Sequence, residues 1–85
     1  MKKILKEILQ QERRIKMTNK EELEIAILRA GLTKHEVAKK LGLSDMGFYK
    51  KLNNQTEFKA SEIAALQKML HIKSINEIFF AEKVE

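Results

Sequence analysis

Between Thr33 and Gln55 the chain sets out hydroxyl, ammonium and amide side chains at close spacing: Thr33, Lys34, Lys39, Lys40, Ser44, Tyr49, Lys50 and Lys51, closed by Asn53, Asn54 and Gln55. Ammonium groups attract phosphate, and hydroxyls and carboxamides place single hydrogen bonds, so the combination suits a nucleic acid. Residues 33–56 hold five basic side chains against two acidic ones, and residues 1–17 hold six against two, while the remaining segments are close to neutral. Catalytic chemistry is poorly served. Ser44, His35 and Asp45 have the residue types of a hydrolytic triad, but nothing orders them, no oxyanion donors are spaced for them, and no Gly-rich phosphate cradle exists. With no Cys, and with His35 and His71 far apart, neither a thiolate zinc site nor an imidazole cage can be assembled. We therefore expect no enzyme, no cofactor, no metal and no small-molecule ligand.

The elements that hold these residues follow from length and periodicity. A chain of 85 residues and 9.9 kDa supports one modest core. Pro is absent, Gly occurs only at 31, 42 and 47, and the apolar period is helical throughout. Ser or Thr followed three residues later by Glu, at Thr18/Glu21, Thr33/Glu36 and Ser74/Glu77, marks three helix starts through capping boxes. The fold expected is all-α: helices from Thr18 or Asn19 to Ala30, Lys34–Leu41, Asp45 to Leu52 and Ala60–Leu70, with a short last helix opened by Ser74. Gly31 and Gly42 stand where left-handed residues end helices, and Lys59 is a poor cap for the fourth. Val37, Ala38, Leu41, Leu43, Phe48 and Leu52 form the expected core of the central helix pair, with Ala38 small where the two axes cross. Of the adjacent Phe79 and Phe80, one is expected to close the core and the other to be a dimer contact.

Residues 1–17 read as a basic amphipathic helical extension, with Ile4, Leu5, Ile8, Leu9 and Ile15 on one side, ahead of a domain at 18–85. No hydrophobic run reaches the length of a membrane span, and Lys6, Glu7 and Gln10 interrupt any signal-peptide core, so a cytoplasmic location and no membrane partner are expected. Resting of this extension on an acidic membrane surface or in a partner's groove is a weaker alternative. Glu12-Arg13-Arg14-Ile15-Lys16-Met17 can be encoded as GAA-AGG-AGA-AUA-AAA-AUG, a purine-rich ribosome-binding string ahead of an AUG, which makes Met17 a candidate start. The amphipathic pattern argues the other way, and both readings stay open.

The lead-in Gly31-Leu32-Thr33, the run Val37-Ala-Lys-Lys-Leu-Gly-Leu-Ser44, the exit Lys51-Leu-Asn-Asn54 and the closing Ser74-Ile-Asn-Glu-Ile-Phe-Phe80 together resemble the phage-repressor and Cro-like, XRE-type helix-turn-helix family, over about Leu23 to Phe80. The resemblance implies a five-helix lambda-repressor-like DNA-binding domain, double-stranded DNA as partner, and a homodimer that regulates transcription by occupying an operator. It implies a phosphate grip at Thr33 and Lys34 and a recognition helix whose groove-facing residues are Ser44, Asp45, Met46, Tyr49 and Lys50. Asn53, Asn54 and Gln55 correspond to the loop that touches the DNA backbone. The chain departs from the family pattern at Asp45, Met46 and Gly47, where Gln, Arg, Ser or Thr are frequent. Asp45 can only accept, so its favourable base partner is the cytosine amino group, while Met46 suits a thymine methyl. These departures support an alternative reading, a protein-binding adapter such as an antirepressor or inhibitor with weak DNA readout.

Overall fold

A computed structural model describes residues 14–84. Five helices, α1 (Lys20–Arg29), α2 (Lys34–Lys40), α3 (Asp45–Leu52), α4 (Ala60–Leu70) and α5 (Ile75–Phe79), lie between two short strands, β1 (Arg14–Met17) and β2 (Ala81–Val84). The strands pair antiparallel, Arg14 opposite Val84 and Met17 opposite Ala81. The fold is mainly helical with five helices, as expected; the ribbon adds two short strands to it and corrects the helical reading of the extension over Arg14–Lys16. Its cause is non-local: the Asn19 N–H donates to the Ile78 carbonyl at 2.6 Å, which lays the start of α1 beside the end of α5 and brings the flanking segments together. Their backbone groups then satisfy one another in a ladder. The rest of the expected N-terminal helix, residues 1–13, lies outside the described residues.

Capping explains most helix boundaries. Thr33 Oγ1 accepts from the Glu36 N–H at 3.1 Å and Glu36 Oε1 accepts from the Thr33 N–H at 3.0 Å, the reciprocal box expected at α2. The backbone N–H of Thr33 holds the Glu36 carboxyl below its ordinary value. At α1 the cap is Asn19, whose Oδ1 accepts from the Glu22 N–H, and not Thr18, which is buried. Ser74 precedes α5 but makes no capping bond, so the Ser74/Glu77 box does not form. Gly31 and Gly42, with φ of +71° and +72°, take the left-handed conformation that lets the chain turn after α1 and α2.

α1 touches α2, α4 and α5, and its Leu23 and Ile27 lie at the centre of the core. Around them pack Val37 and Ala38 from α2, Phe48 and Leu52 from α3, Ile63, Leu66 and Leu70 from α4, and Ile78 and Phe79 from α5. Phe58, in the α3–α4 connection, meets Phe48 and Phe79 edge-on, with ring centroids 6.0 and 5.6 Å away. Phe79 closes the core as one of the two adjacent rings was expected to do, and Phe80 stays 41% exposed.

One polar contact is built into this core. Lys51 Nζ donates to Glu62 Oε1 at 2.5 Å, joining α3 to α4, and both side chains are about nine-tenths buried. Glu62 Oε1 also accepts from the Lys59 N–H at 2.8 Å, supplying the start of α4 with the cap that Lys59 itself cannot give. Burial works to raise the Glu62 carboxyl, but the bonds from Lys51 and the Lys59 backbone outweigh it, and the carboxyl titrates below its ordinary value. A carboxyl lowered on folding stabilises the folded chain above its unfolded-state pKa, and that contribution is lost as the pH falls through the folded-state value. Removing one partner strands the other, so Glu62→Gln is expected to cost on the order of 3 kcal/mol at neutral pH and to remove part of the acid-side loss of stability. Urea denaturation of the two proteins across the acid range measures both effects; equal stabilities at neutral pH would show that the pair does not hold α3 to α4.

Candidate nucleic-acid interface

The turn between α2 and α3 is closed by main-chain bonds, the Gly42 N–H to the Lys39 carbonyl at 3.0 Å and the Leu43 N–H to the Ala38 carbonyl at 2.9 Å. Ala38, 1% exposed, lies in the core where α2 and α3 pack. Ser44 starts α3 by accepting from the Gly47 N–H at 3.0 Å, and a Cβ on Gly47 would stand 3.1 Å from the Ser44 Oγ. Gly47 thus gives the cap room, which explains a residue that otherwise weakens a helix.

α3 is two-faced. Phe48, Lys51 and Leu52 point inward, while Asp45, Met46, Tyr49 and Lys50 are exposed, Met46 and Tyr49 by 62% and 54%. The helix N-termini of α2 and α3 lie side by side, since His35 Nδ1 and Asp45 Oδ1 are hydrogen-bonded at 2.8 Å on the open surface. Lys34, His35, Asp45 and Tyr49 rim a shallow depression floored by Phe48 and Leu52. Of the residues expected to act together, Thr33, Lys34, Asp45, Met46, Tyr49 and Lys50 are all exposed on α2, its cap or α3.

Several of these groups already have partners. Lys34 Nζ is ion-paired with Glu24 of α1, and Asp45 is engaged by His35. Lys51, counted among the cations by its position in the sequence, is withdrawn into the core by Glu62. Asn53 caps α3, its Nδ2 donating to the Tyr49 carbonyl at 2.8 Å, and its Oδ1 accepts from Lys20 Nζ at 2.9 Å. Asn54, in the left-handed region at φ 62°, accepts from the Thr18 N–H at 2.8 Å and donates to the Thr18 carbonyl at 2.9 Å. Its amide therefore ties the loop to the segment between β1 and α1. Gln55 is exposed and its main-chain N–H donates to the Lys50 carbonyl.

Sequence reasoning missed Lys20 and Glu24. Lys20 Nζ stands 6.0 Å from the centroid of the Tyr49 ring and adds a cation from α1 to the exposed face of α3. Lys20 is the first residue of α1 and its Nζ reaches the Asn53 amide at the α3 exit, a contact between distant segments that no local pattern marks. Among the described residues, no helix is long and apolar enough to cross a membrane, and no group of three or more His, Cys, Asp or Glu is placed to hold a metal ion. No family model, curated protein or solved structure matches the chain.

Asn54 and Lys50, both assigned to DNA contact, are separable by stability. Asn54→Gly keeps the backbone free to hold a positive φ but leaves the buried Thr18 with unpaired main-chain groups, and is expected to cost about 1–3 kcal/mol. Lys50→Ala, at an exposed position, is expected to change stability by no more than about 0.5 kcal/mol. Thermal unfolding of both variants checks this contrast, and equal melting of Asn54→Gly and the unaltered chain would show that the Asn54–Thr18 bonds carry nothing.

Proposed function

We propose that the protein is a sequence-specific DNA-binding transcriptional regulator of the phage-repressor and Cro-like helix-turn-helix kind, which acts by occupying an operator as a two-fold dimer. The observation that carries the reading is the exposed face of α3, where Asp45, Met46, Tyr49 and Lys50 stand together beside the N-terminus of α2. A helix held this way can enter a major groove with its first turns against base edges. Met46 meets a thymine methyl, Asp45 accepts from a cytosine amino group, and Tyr49 and Lys50 reach bases or phosphate farther along. Thr33 and Lys34, at the start of α2, grip a phosphate, with the helix dipole adding to the attraction. Lys34 exchanges Glu24 for that phosphate, and Lys20 offers a further cation on the flank.

A protein-binding adapter is the second reading, and the Lys34–Glu24 pair favours it, because it occupies a cation that a phosphate backbone would otherwise meet. Titration against fragments of the DNA flanking the protein's own gene separates the two. A DNA-binding regulator gives a saturable shift and a pseudo-palindromic footprint with half-sites about one helical turn, ~34 Å, apart. Lys34→Ala is then expected to weaken all sequences alike and to reduce the salt slope by about 0.9, whereas Lys50→Ala and Tyr49→Ala reduce discrimination between operator and random DNA. No saturable binding to any fragment, or a footprint without two-fold symmetry, contradicts the proposal.

A further inference from the structure

Five large apolar side chains are exposed among the described residues: Met46 and Tyr49 on α3, Phe80 before β2, and Ile25 and Leu28 on α1. Ile25 and Leu28 lie one turn apart, 40% and 77% exposed, on the side of α1 opposite Leu23 and Ile27. They are not accounted for by the core or by the DNA face. The charges around them are ordered along the helix, with Glu21 and Glu22 exposed in the first turn and Arg29 in the last. Glu22 and Arg29 form no ion pair among the described residues.

We propose that this face of α1 packs antiparallel against the same face of a second copy of the chain, across a two-fold axis at Ile25. The charge order selects the partner and its direction. At about 100° and 1.5 Å per residue, Glu22 and Arg29 fall on one flank of Ile25, about 4.5 Å before it and 6 Å after it. A dyad perpendicular to the helix axis keeps each flank on its own side and reverses height, so Glu22 of each copy meets Arg29 of the other while Ile25 meets Ile25. Leu28, on the opposite flank, covers Ile25 and the stem of Glu21 of the second copy. A parallel pairing would swap the flanks, setting Glu22 against Glu21 of the second copy and leaving Arg29 against its Leu28, and would align the two helix dipoles unfavourably. The Glu22–Arg29 flank continues into a depression of about 480 Å³ bounded on its far side by Ile72 and Ile78. It carries Glu77 and Lys73 as well, so a reversed copy meets no excess of like charge.

Ten residues of helix span about 15 Å, and two such helices bury well under the roughly 800 Å² per partner of a standard stable interface. The dimer is therefore weak when free and is completed when two copies share one DNA site. The inference deepens the proposed function by supplying its two-fold contact, and its test is made without DNA, so that its failure leaves the DNA reading standing.

Sedimentation equilibrium of the full chain at rising concentration, with circular dichroism to confirm that each variant keeps its helices, decides it. The expected result is reversible dimerisation that Leu28→Lys and Glu22→Arg each weaken by about tenfold, and that the double exchange Glu22→Arg with Arg29→Glu restores to near the original strength. Three results would overturn it: a chain that stays monomeric into the millimolar range, a dimer indifferent to all these substitutions, or a double exchange no stronger than the single one.

Discussion

Lys51 shares its helical turn with Phe48 and Leu52, and its ammonium group is buried against Glu62 from the neighbouring helix. Apolar contacts alone would hold α3 to the core while tolerating some rotation about its axis, but a hydrogen bond between two buried charges does not. Any turn of α3 would strand an ammonium and a carboxylate away from water, at a cost larger than the contacts it disturbs. With Phe48, Lys51 and Leu52 fixed inward, Asp45, Met46, Tyr49 and Lys50 have only the outside left. The second bond to Glu62, from the Lys59 main chain, anchors the same carboxylate to the start of α4. One carboxylate thus sets the rotation of α3 and the beginning of the helix behind it.

The outward face is electrostatically restrained. Its cations do not all stand free: Lys34 leans on Glu24 and Lys51 is withdrawn, while Asp45 is held by His35. In the DNA-binding role we propose, a phosphate backbone would have to compete with Glu24 for Lys34, and the net attraction for an arbitrary duplex would fall accordingly. For the proposed DNA contact, a face restrained in this way would depend on shape and on the few groups at the first turns of α3, which suits discrimination between sites more than general affinity.

Much of this was legible in the residues. The Thr33–Glu36 box, the Ser44 cap and the left-handed glycines 31 and 42 mark the limits of α2 and α3 through interactions only a few residues long, and α4 follows from its apolar spacing. Contacts between distant segments were not legible. β1 forms because residues 81–84 lie alongside it, a partner from the other end of the chain that local periodicity cannot reveal. Asn54 looked like a polar loop residue because its partner is the main chain of Thr18, and main-chain groups leave no trace in side-chain pattern. Lys51 was a nearer miss. It lies three residues after Phe48, on the same side of the helix, and that spacing already argued against a solvent-facing cation.

In the function we propose, the exposed turns of α3, with the start of α2, form the surface that meets DNA. Amide chemical-shift mapping of the isotope-labelled full chain, titrated with a short duplex from the DNA flanking its gene, tests it residue by residue. The largest changes are expected on Thr33–His35 and Asp45–Lys50, with α4 left unchanged. Changes centred on α4 or absent at a large excess of duplex would contradict it.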